Sequence, residues 1–99
     1  MSRYLSPTVI LPDETHLNDF VVEVTGTTVS YYPFTGEQHT TLYVPDGILL
    51  SHRDDLDGKT VTLNLLSWAM GDAATSAVYA YSLTPCPACM GDRYVLAKL

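Results

Sequence analysis

A chain of 99 residues holds one domain with one modest core, and this one is 46% hydrophobic but only 16% charged. Five Lys and Arg against eleven Asp and Glu give a formal net charge of −6. The positive footprint needed to bind nucleic acid or an anionic membrane surface is therefore missing. No apolar run approaches the roughly 20 residues of a membrane-spanning helix.

With so little charge, uncharged polar groups and seven tyrosines must cover much of the surface. Such a surface favours self-association, and a homodimer is expected. The opening stretch MSRYLSPTVI has one basic residue and no apolar core of secretory-signal length, so the cytoplasm is the expected location. One domain spans 1–99, and any disorder is expected in residues 1–6.

In chain order, PTVILP suggests a short strand bounded by Pro7 and Pro12. DETHLND reads as a turn, with Thr15 a candidate cap for a short helix. FVVEVTG then alternates, placing Phe20, Val22 and Val24 on one face and Val21, Glu23 and Thr25 on the other. TVSYYPF continues that pattern beyond Gly26, so a β-hairpin is predicted over residues 20–32. TGEQ at 35–38 is a second turn, and HTTLYV a further strand. Pro45-Asp46-Gly47 marks a turn before the strand ILLSH.

RDDLDGK, 53–59, reads as a polar hairpin loop closed by Asp57-Gly58, and TVTLNLL as the strand that follows. SWAMGDAAT breaks the alternation; Trp68 and Met70 are expected to plug one end of the sheet, with Gly71 stopping any helical turn. SAVYAYSL and RYVLAKL complete the pattern. The sum is an all-β domain, a small antiparallel barrel or sandwich of about six to seven short strands.

The stretch CPACMGDR, 86–93, is the one segment suited to chemistry. Cys86 and Cys89 have the spacing with which a tight turn points two thiolates at a tetrahedral zinc. The remaining ligands would come from a second copy or from His16, His39 and His52, none of which lies at ligand spacing from a partner. A redox role would need the first thiol at a helix N-terminus, and MGDRYVLAKL reads instead as turn then strand. The plainest reading is a hairpin loop holding two thiols, which at this spacing can also oxidise to a disulfide.

Other constellations are weaker. His16, His39 and His52 could converge with Asp54 or Asp55, but nothing in their spacing requires it. Glu23, mid-strand between Val22 and Val24, is the best carboxylate for acid–base work and reads as a solvent-facing residue. DDLD at 54–57 lacks the terminal glutamate of a calcium loop. Ser51-His52 lacks the glycines of a nucleophile elbow. Six tyrosines, Tyr31, Tyr32, Tyr43, Tyr79, Tyr81 and Tyr94, fall in predicted strands, where they serve cross-strand packing or a contact surface. Of these, Tyr32, Tyr43 and Tyr81 are the candidates for binding a ligand or partner.

The segment VSYYPFTGEQHTTLYVPDGILL, 29–50, resembles small uncharacterised proteins of gut-dwelling anaerobic bacteria, a family of unknown function. It shares their Tyr-Tyr-Pro-Phe motif after a strand, then an acidic turn, then an aromatic-bearing strand. The resemblance implies a bacterial origin and a structural corner packed by Tyr31, Tyr32, Pro33 and Phe34. It carries no catalytic role. The function expected overall is a small non-catalytic binding or protein-interaction module without a cofactor. The alternatives are a zinc-supported module using Cys86 and Cys89 and, third, a small redox or hydrolytic enzyme.

Overall fold

A computed structural model of the chain describes residues 2–36, 41–74, 76–89 and 91–99. Its elements are β1 (Ser2–Ile10), β2 (His16–Thr25), β3 (Thr28–Pro33), β4 (Leu42–Tyr43), β5 (Ile48–Ser51), β6 (Thr60–Thr62), α1 (Ser67–Met70), β7 (Tyr79–Pro85) and β8 (Arg93–Lys98). All eight strands join one sheet in the order β3-β2-β1-β5-β7-β8-β6, with β4 also beside β1. The domain is all-β, as the alternation requires, and the sheet does not close. No helix among the described residues is long and apolar enough to cross a membrane. The turn expected at 35–38 falls partly outside the described residues.

The hairpin of β2 and β3 pairs Thr25 with Thr28 across a two-residue turn, in which Gly26 takes a φ of 58°. Its alternation sets the faces as read: Phe20, Val22, Val24 and Val29 all turn toward one apolar cluster. The first strand is longer than PTVILP suggested. It begins at Ser2 and pairs with β2 from Ser2–Val24 to Ile10–His16. Pro7, mid-strand, has no N–H to give. Asp19 opposite it adopts a left-handed φ of 57° and accepts the Phe34 N–H instead (2.9 Å). Across this pair both strands change face, so Tyr4 and Val9 pack into one cluster, as do Leu17 and Phe20. Ser6 Oγ bridges the irregularity by donating to Thr8 O (3.0 Å).

β4 and β5 lie one after the other along the free side of β1, both parallel to it, at Tyr4–Leu5 and Val9–Ile10. Pro45-Asp46-Gly47 is therefore a jog within one interrupted strand. Gly47 is required there. Its φ is 119°, and a Cβ would lie 3.1 Å from Leu83 Cδ1 and 3.4 Å from Thr8 O.

Two clusters occupy opposite faces of the central strands. Val9, Val22, Ile48, Leu50 and Ala80 fill the concave side, where the sheet curls until the β2–β3 hairpin nears β7. Ile10, Leu49, Val61, Tyr81, Leu83 and Leu96 fill the other side, beneath Leu56, Leu66, Ala69 and Met70. That lid departs from two expectations. The segment 53–59 is no plain polar loop, because Leu56 is buried, and it joins β5 to a strand that pairs with β8. TVTLNLL leaves the sheet after Thr62, so that Leu66 can turn inward ahead of α1. Thr15 caps no helix; its N–H donates to Asp13 Oδ1 (3.0 Å) in a turn.

Candidate functional site

The outer face of the first three strands is built by register alone. Tyr43 on β4 lies beside Leu5, Leu5 beside Val21, and Val21 beside Tyr32 on β3. Residues in register share a face, so these four form one row across the sheet. Four strands spaced about 4.8 Å apart place the two tyrosines roughly 14 Å from one another. Tyr43 is 62% exposed and Tyr32 is 37% exposed, with Leu5 half-buried and Val21 buried between them. The row presents aromatic edges over an aliphatic floor.

Its charged neighbours neutralise one another. Arg3 and Glu23 are paired across β1 and β2 on the same face, and Arg3 Nε donates to Glu23 Oε2 at 3.0 Å. The Tyr32 hydroxyl donates to the same oxygen at 3.3 Å. The Glu23 carboxylate holds the Arg3 guanidinium above its usual range. Glu23 thus faces outward and anchors Tyr32. A shallow cavity of about 130 Å³ beside it is lined by Val21, Tyr32, Phe34 and Thr41.

Tyr81 does not join this surface. It is fully buried on the other side of the molecule, and its hydroxyl donates to Arg53 O (2.6 Å). Desolvation raises its pKa, which keeps the hydroxyl a donor. Tyr31 pairs with Val22 and lies on the opposite face of the hairpin from Tyr32, with its ring 6.3 Å from Phe20.

The cysteine segment forms the β7–β8 loop, with Cys86 and Cys89 joined as a disulfide. Cys86 N–H donates to Arg93 O (3.0 Å) and Cys89 N–H to Cys86 O (3.1 Å), so the backbone turn is closed independently of the sulfurs. Only the reduced pair could offer thiolates to zinc. Among the described residues no three His, Cys, Asp or Glu side chains group to hold a metal; His39 lies outside them. His16 is exposed at the start of β2, and His52 Nδ1 sits 2.9 Å from Ala77 O.

One structural hub had no signal in the sequence. Arg53 donates twice to Asp55 (2.9 and 2.8 Å) and once to Trp68 O (2.9 Å). Its guanidinium lies 5.5 Å from the centre of the Trp68 ring. The backbone binds too, with Arg53 N–H donating to the buried Ser51 Oγ (3.0 Å). Trp68, expected as a plug, is instead 44% exposed under this cation. Comparison of the chain with family models, with curated proteins and with solved structures finds no match to any of them.

Proposed function

We propose that the protein is a small non-catalytic interaction module whose contact surface is the row Tyr43–Leu5–Val21–Tyr32, with a second copy of the chain as partner. The register that sets two exposed tyrosines and two aliphatic residues on one face carries this reading. Tyrosine offers large contact area at low entropic cost and suits an interface. The internal pairing of Arg3 with Glu23 means that little charge stays uncompensated when the face is covered. A self-complementary row also suits a two-fold contact.

The disulfide belongs to a different end of the sheet. In the cytoplasm proposed for this chain the same cysteines would be kept as thiols, and the outer face depends on neither form. A dilution series read by amide NMR tests the proposal. Resonances of residues 3–5, 21–23, 32 and 43 should move together with concentration. Concentration-independent shifts on this face would oppose it.

A further inference from the structure

A second concavity, about 330 Å³, lies on the opposite face from the tyrosine row and has the volume of a modest small-molecule site. Four separate stretches build it: Leu11, Pro12 and Asp13 of the β1–β2 turn, Tyr31 of β3, His52 after β5, and Gly71 with Ala73 after α1. Gly71 lets the last stretch approach, since a Cβ there would meet Arg53 Cγ at 2.8 Å and the His52 carbonyl carbon at 3.1 Å.

Three polar residues line this cavity: Asp13, His52 and Tyr31. Asp13 accepts the Thr15 N–H through Oδ1, and hydrogen bonding from Thr15 holds its carboxyl below the usual range, which keeps it charged. His52 Nδ1 lies 2.9 Å from Ala77 O. A carbonyl only accepts, so Nδ1 carries the proton in this contact, and Nε2 is the ring nitrogen left to accept a hydrogen bond. Tyr31 is 44% exposed, its hydroxyl has no partner among the described residues, and its ring has a negative face. Among the described residues no Lys or Arg lines the cavity.

A carboxylate, an imidazole lone pair and an aromatic ring all complement a cation that donates hydrogen bonds. Leu11, Pro12 and Ala73 supply apolar walls for a carbon skeleton. We propose that this cavity is a binding site for a small organic ammonium ion, with Asp13 as counter-ion, His52 Nε2 as acceptor and Tyr31 as the aromatic wall. The net charge of −6 adds long-range attraction for such a ligand.

The test is an amide NMR titration of the full chain with protonated phenethylamine, with 2-phenylethanol and phenylacetate as neutral and anionic analogues of the same skeleton. The amine should give saturable shifts at residues 11, 13, 31, 52 and 71–73. The alcohol should bind about tenfold more weakly, the loss of one charge-assisted contact, and the acid not at all. Asp13→Asn keeps the acceptor for the Thr15 N–H and should lower amine affinity to that of the alcohol. Equal affinity for amine and alcohol on the unmodified chain would overturn the proposal, as would the absence of saturable shifts with the amine. Tyr43→Ser should leave the amine affinity unchanged, which separates this site from the self-association surface.

Discussion

Arg53 shows how much one side chain can organise here. Its guanidinium binds Asp55 and stacks by Trp68, while its carbonyl receives the Tyr81 hydroxyl. Tyr81→Phe keeps the buried ring and deprives that carbonyl of its donor. It should cost about 1–2 kcal/mol in urea unfolding. An unchanged midpoint would mean that water replaces the phenol. Gly71→Ala asks about close approach. Its φ of 78° disfavours any side chain, and the Cβ would press on the Arg53 backbone N at 3.1 Å. A loss of about 1–3 kcal/mol is expected, seen as a fall in melting temperature of several degrees. Neither role was legible in the sequence. Arg53 reads there as an isolated surface cation, and its partners Trp68 and Tyr81 are brought to it only by the fold. Alternation sets Tyr81 on one face with Tyr79 and Leu83, but it gives no sign that Tyr81 itself is fully buried.

Elements with strict alternation were legible; those broken by proline or glycine were not. The β2–β3 hairpin follows from period-two patterning with Gly26 between its strands. In β1, Pro7 hides the strand, because the Pro7–Asp19 pair flips both strands to the opposite face and destroys the alternation a reader looks for. Pro45-Asp46-Gly47 carries the same residues as a hairpin turn, yet β4 and β5 both run parallel to β1. That pairing is long-range, and local chemistry contains no trace of it. The β7–β8 loop is the element most open to a direct test. Its backbone is already closed by Cys86 N–H to Arg93 O, and Tyr94 pairs with Pro85 at its base. Closing so short a covalent loop restricts the unfolded chain by about 2 kcal/mol at most. The Cys86→Ser, Cys89→Ser double variant should therefore melt lower by no more than that amount and keep its β-sheet circular dichroism. Loss of the fold would show that the disulfide organises far more than its own loop.

At the scale of the molecule, curling of the open sheet gives the N-terminal strands an inner face against one core and an outer face in solvent. Tyr32 and Tyr43, singled out from the sequence for their strand positions, share that outer face because three independent strand registers happen to align them. Composition suggested a surface poor in charge; only the topology says where its tyrosines gather. The account's central claim is that this row mediates self-association. Sedimentation equilibrium of the unmodified chain and of Tyr43→Ser, run from about 1 μM to 1 mM, tests it most directly. Tyr43 is exposed and lies on a two-residue strand, so its loss should leave the fold intact. The account predicts a reversible monomer–dimer equilibrium for the unmodified chain, weakened at least tenfold in the variant. A monomer across the whole range, or a dimer indifferent to the substitution, would contradict it.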